Sequence, residues 1–179
     1  MGARHMLAIL VAWSAVSLLA GCWAQPPGGP APDDLQLTYR WREGSLPPPY
    51  HYSYSITLAA DGAGEVTMVP DYPGEGVPVW TEPFSVDRAA LDGMYATMVE
   101  NGLLSERWRA ESDPPIGGSS EDLAAAAGGR TVEIPSFVVQ AQRERAEAIY
   151  AALREVVPAA IFADLEARRA AYEAEHSEP

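Results

Sequence analysis

The chain has 179 residues, with 25 acidic against 12 basic side chains, a formal net charge of −13 at pH 7, and a single cysteine. That charge works against nucleic acid as a partner and against electrostatic adsorption to anionic headgroups. One cysteine excludes a disulfide within the chain, so folding must rest on burial of a core.

Arg4 and His5 form a short cationic start, and Met6 to Ala20 is an apolar run interrupted only by Ser14 and Ser17. Fifteen residues fall short of the ~20 that a spanning helix needs. The order of charge, apolar run and small residues is that of an export signal, residues 1–21, removed on maturation. The run closes on Leu19-Ala20-Gly21-Cys22, which resembles the lipobox of bacterial lipoproteins. The resemblance covers residues 1–22 only and concerns delivery, not the task of the domain that follows.

It implies a diacylglyceryl group on the Cys22 thiol, cleavage between Gly21 and Cys22, and acylation of the new amino terminus by a fatty acid such as palmitate. The membrane then becomes a partner through the lipid, since two or more acyl chains hold a protein stably. Family sorting rules place an Asp after the cysteine for inner-membrane retention. Trp23 stands there, which implies the outer membrane facing the periplasm, or the outer face of the cell membrane where there is only one. No other cofactor and no metal is expected.

The mature chain carries 11 arginines, no lysine and 25 acids, a net charge of −14. Residues 22–33 hold the lipidated cysteine and a Pro/Gly-rich tether that supports neither ladder nor helix. Extended at about 3.1 Å per residue, the tether reaches roughly 30 Å.

Residues 34–175 read as one α+β domain. Leu35, Leu37, Tyr39 and Trp41 alternate with Gln36, Thr38, Arg40 and Arg42, the pattern of a strand with one wet face. A second strand continues the alternation through Tyr50, Tyr52, Tyr54, Ile56 and Leu58. Asp61-Gly62-Ala63-Gly64 is turn chemistry, and residues 65–69 return as its partner. Val79 to Phe84 is confined by Pro78 and Pro83 to an edge strand or coil.

Ser85 is the expected N-cap of a helix to about Asn101, with an apolar stripe of Leu91, Met94, Tyr95, Met98 and Val99 and a stop at Gly102. Leu103 to Arg109 is ambiguous. Residues 120–127 read by propensity as a capped helix, yet they run directly into Gly128-Gly129 and the alternating 131–134, so a hairpin is preferred. A helix over 139–157 and, after Pro158, a last helix over 159–175 with Ile161, Phe162, Leu165 and Tyr172 complete the domain. Residues 176–179 are expected to fray.

The expected architecture is therefore an antiparallel sheet of four to six strands with two or three helices on one face, the other face open to water. Residues 50–101 and 119–157 suggest a hairpin-helix unit used twice.

Among candidate sites, the Tyr50, Tyr52, Tyr54 row shares its parity with Ile56 and Leu58 and so belongs to the apolar face. His51, on the opposite parity, is expected to face water beside Ser53 and Ser55. Arg107, Trp108 and Arg109 with the loop Gly117, Gly118 and Ser119 form the candidate binding surface. Two guanidiniums beside an indole can grip a carboxylate and a flat face, and glycines admit a partner to the backbone. No nucleophile elbow, phosphate loop, calcium loop or zinc spacing appears, and no catalytic residue is assigned.

The first functional expectation is a non-catalytic envelope lipoprotein binding a protein or cell-wall component. The alternatives are an envelope hydrolase using His51 or a carboxylate pair brought together by folding, and an inhibitor-type lipoprotein.

Overall fold

The strand that opens the domain lies at the centre of its sheet. A computed structural model describes residues 29–177, so the signal, Gly21, Cys22, Trp23 and most of the tether lie outside the described residues. The strands are β1 (Gln36–Arg42), β2 (Ser53–Ala59), β3 (Ala63–Val69), β4 (Trp80–Ser85), β5 (Ser120–Ala127) and β6 (Arg130–Ile134). The helices are α1 (Arg88–Glu100), α2 (Arg143–Glu155), entered through a 3₁₀ turn at Gln140–Gln142, and α3 (Ala159–His176). All pairings are antiparallel, in the order β4-β3-β2-β1-β5-β6. The α+β class and the single sheet agree with the sequence pattern.

Period-two alternation sets the inner face. Tyr39 lies opposite Ile56 on one side and Leu123 on the other, and Leu37 opposite Leu58 and Ala125. These side chains, with Val66 and Met68 of β3, are almost wholly buried. Complete burial of each large apolar side chain contributes about 1.5–3 kcal/mol. Leu91, Met94 and Met98 of α1, and Ile149, Tyr150 and Leu153 of α2, close over this face.

α3 presents one fully buried residue, Leu165, and attaches by long side chains. Phe162 meets Tyr54 edge-on at 5.6 Å between ring centroids, Arg169 lies 4.4 Å over the Tyr52 ring, and Arg168 pairs with Glu82 of β4 at 2.7 Å. Among the described residues no helix packs on the other face of the sheet, as the alternation predicts.

Local differences from the expected boundaries have plain causes. β4 runs through Ser85, which pairs with Ala63, so the cap of α1 falls instead on Asp87, whose carboxylate accepts from the Ala90 N–H at 2.9 Å. Such a cap is worth about 1 kcal/mol. Gly102 ends α1 with φ +89°: its N–H reaches the Val99 carbonyl at 3.0 Å and that of Leu103 the Met98 carbonyl at 2.9 Å. Left-handed backbone at this position favours glycine.

Leu103 to Glu106 forms turns and a bend, Arg107 to Arg109 is irregular, and an isolated bridge joins Ala110 to Val138 in place of a strand. Ser120–Ala127 is a strand, because its alternating Leu123, Ala125 and Ala127 are needed against β1. α3 continues to His176, past the expected fraying point. Of the suggested duplication, β2-β3-α1 and β5-β6-α2 are present, but β4 intervenes in the first unit.

Candidate docking surface at the loop pole

Antiparallel connectivity gathers three loops at one end of the sheet: 43–52 between β1 and β2, 70–79 between β3 and β4, and 112–119 before β5. Eight of the chain's 16 prolines lie in them: Pro47, Pro48, Pro49, Pro70, Pro73, Pro78, Pro114 and Pro115. Each fixes its own φ and restricts the residue before it. The loops are thus stiff before they meet anything.

They are also fastened to one another. A Cβ built on Gly44 would lie 2.6 Å from the Gly118 nitrogen, so the first and third loops touch backbone to backbone. His51 stacks on Tyr72 at 3.9 Å with 5° between the planes, and its Nδ1 is 3.2 Å from the Gly44 carbonyl. The Tyr72 hydroxyl donates to the Leu46 carbonyl at 2.9 Å. His51 therefore clasps the loops together.

The sequence expectation for His51 is corrected here: it is 8% exposed rather than water-facing. β2 starts at Ser53, so the alternation that governed the expectation does not extend back to His51. The same boundary divides the tyrosine row. Tyr52 and Tyr54 pack with Trp41 at 4.6 and 5.4 Å, whereas Tyr50 is exposed.

The pole turns large apolar side chains outward, beside the exposed carboxylates of Glu75 and Asp113. The five large apolar side chains exposed among the described residues are Leu46, Tyr50, Tyr72, Val79 and Ile116, and all five belong to these loops. Ile116 projects completely, at 106% of its reference exposure. Between the loops lies an open hollow of about 280 Å³ lined by Gly44, His51, Tyr72, Gly117, Gly118 and Phe137.

Beside it is a second hollow of about 320 Å³, lined in part by Ser119, Glu121, Glu147 and Tyr150. Two carboxylates do meet there, but both are bound to Arg154, Glu121 at 2.7 Å. Arg154 also donates to the Tyr39 hydroxyl at 2.9 Å, and that hydroxyl donates to Glu121 at 2.6 Å. Burial holds the Tyr39, Tyr54 and Tyr150 phenols above the ordinary tyrosine range, with neighbouring Tyr54 and Glu121 adding to it at Tyr39. Burial alone would lower the Arg154 pKa, but Tyr39 and Glu121 outweigh it and leave it raised. The cluster is a closed set of mutual partners that ties α2 to the sheet.

The sequence-predicted surface is therefore divided. Gly117 and Gly118 are in the loop cluster and Ser119 lines the neighbouring hollow. Trp108 instead packs against the core and its indole N–H donates to the Leu103 carbonyl at 3.4 Å. Gln142 pins this strip, donating to the Arg107 carbonyl and accepting from the Arg109 N–H, both at 3.0 Å. Arg107 and Arg109 are exposed, but the indole between them does not face outward with them. Sequence reasoning missed the proline-stiffened apolar pole; the shared position of the prolines follows only once strand order is known.

Among the described residues, no group of three or more His, Cys, Asp or Glu is placed to hold a metal ion, and no helix is long and apolar enough to cross a membrane. No protein-family model matches the chain, and no curated protein matches it.

Proposed function

We propose that the chain is an exported, lipid-anchored envelope protein whose α+β domain binds a protein partner through its loop pole. One observation carries the binding part: among the described residues, the exposed large apolar side chains are confined to the pole opposite the point where the chain enters the sheet. At the entry pole, the Ala31 N–H donates to Asp92 of α1, and Asp34 accepts from Gly128 and Gly129 in the β5–β6 turn. The seven residues of β1 separate the poles by about 23 Å. A lipid on Cys22 would hold the entry pole toward the membrane and leave the loops outward. The lipobox resemblance supports the anchor.

Stiff loops lose little conformational freedom on association, and contiguous exposed apolar side chains mark interaction surfaces. A photo-crosslinking residue at Ile116 in the native envelope is expected to capture one reproducible protein, while the same residue at Asp61 is expected not to. Equal or absent capture at both positions would overturn the assignment. The full projection of Ile116 also favours a second reading, an inhibitor whose loop enters an enzyme cleft. Loss of the captured partner's own activity on titration with the full chain would select it.

A further inference from the structure

The face of the sheet turned away from α1, α2 and α3 holds a second feature, which does not rest on the loop-pole reading. Arg40 and Arg42 are two residues apart on β1 and project from this face, with Asp122 of β5 directly opposite Arg40. Asp122 accepts from Arg40 Nε at 2.7 Å through one oxygen, and from Arg42 Nη2 at 3.3 Å and the Ser136 hydroxyl at 3.4 Å through the other. It is only 7% exposed although its face is open, because the two arginines lie across it. The arginine side chains themselves remain 57% and 47% exposed.

One carboxylate needs one arginine for charge balance. Here it orients two, and the cluster keeps one positive charge in a chain of net charge −13. Arg42 Nη2 also donates to the Ser136 hydroxyl at 3.3 Å, while Arg40 Nη1 and Nη2 and Arg42 Nε and Nη1 have no acceptor among the described residues. Guanidinium forks held in place are suited to planar oxyanions.

The cluster has two flanks. On the β5–β6 side, Asp122 and Glu133 line the surface and repel an anion. On the β2–β3 side is a hollow of about 190 Å³ lined by Arg40, Arg42, Ser53, Ser55, Thr67 and the apolar Val69. We infer that this hollow binds a carboxylate-bearing sugar unit of an acidic glycan, its carboxylate spanning the two guanidiniums and its hydroxyls meeting those of β2 and β3. Arg40 and Arg42 exceed Asp122 by one charge, which suits a monoanion, and the carboxylates of Glu133 and Glu65 on the two flanks disfavour a more highly charged group. The chain therefore carries a glycan site on its sheet face in addition to its loops.

The test uses the full chain in detergent on immobilised polygalacturonate, neutral dextran and poly(glycerol phosphate). Retention is expected on polygalacturonate and not on dextran, and salt should reduce it. Arg42→Gln, which leaves Arg40 paired with Asp122, is expected to weaken binding about tenfold, equivalent to about 1.4 kcal/mol. Arg42→Lys should recover little of the loss because it lacks the fork. The double variant Arg107→Gln, Arg109→Gln removes exposed charge elsewhere and should bind as the parent does. Absence of retention, equal weakening by the double variant, or stronger retention on poly(glycerol phosphate) would each overturn the assignment.

Discussion

Gly44 and Gly118 meet backbone to backbone, so closely that a methyl group on Gly44 would stand 2.6 Å from the Gly118 nitrogen and 2.7 Å from its carbonyl carbon and oxygen. Real Cβ atoms do not approach backbone at that distance, so any side chain there must push the loops apart. Gly44→Ala is expected to cost about 1–3 kcal/mol, the usual range for overpacking. Limited proteolysis is the sensitive readout, since loop tips are nicked when they open. Faster cleavage within 113–118 is expected in the variant; cleavage at the parental rate would mean that the two loops are not held together.

Arg154 is the common partner of Tyr39, Glu121 and Glu147. Arg154→Met should lower stability by about 1–3 kcal/mol, because Glu121 is left half-satisfied in a partly buried site. Adding Glu121→Gln to that variant removes the stranded charge and should recover part of the loss. Chemical denaturation of the four-member cycle measures the coupling. Strict additivity would show that the cluster is not a unit.

Acid should weaken the attachment of the entry segment. The Gly129 and Gly128 N–H groups hold the Asp34 carboxyl below its ordinary range. A lowered folded pKa gives stability that is present above the unfolded value of about 3.9 and is lost as pH falls through the folded value. Asp34→Asn should therefore melt below the parent at neutral pH, with the gap closing as pH drops past that range. A gap independent of pH would rule out the carboxylate as its source.

Alkali acts on the buried phenols. Burial first, then Tyr54 and Glu121, raises the Tyr39 pKa, and burial also raises those of Tyr54 and Tyr150. For groups raised in the folded state, stability is complete below the unfolded value of about 10 and is lost as pH rises beyond it. Tyrosinate absorbance from these three rings should appear together with loss of the far-ultraviolet dichroism of the folded chain. Full ionisation of all eight tyrosines before that loss would show that the rings are accessible.

The sheet was legible from sequence wherever alternation was continuous. Leu37, Tyr39 and Trp41, and Tyr54, Ile56 and Leu58, announced both their strands and their buried face. The same rule failed for Tyr50 and His51, because parity carries no information beyond the end of a strand. Tyr50 turned outward and His51 stacked on Tyr72. Ser120–Ala127 was ambiguous because alanine favours helix intrinsically, and what made it a strand was a place beside β1 that no local pattern announces. Arg40 with Asp122, and Gly44 with Gly118, join positions more than seventy residues apart. Charge and glycine content gave no hint of those pairings.

The central position of β1 has a consequence for how the domain assembles. Its partner β2 follows after a short loop, but its other edge is covered only by β5, with Gln36 opposite Ala126. Hairpins β1–β2 and β2–β3 can form from local sequence, whereas the β1–β5 pairing, with Arg42 opposite Ser120, closes a loop of about eighty residues and should set the pace of folding. Until residues 120–127 arrive, a folding chain presents a four-stranded half-sheet, β4-β3-β2-β1, with a bare, partly apolar edge. Such an edge is a template for other chains, so the acquisition of β5, rather than any feature of the finished surface, governs whether newly made molecules reach the folded state or aggregate.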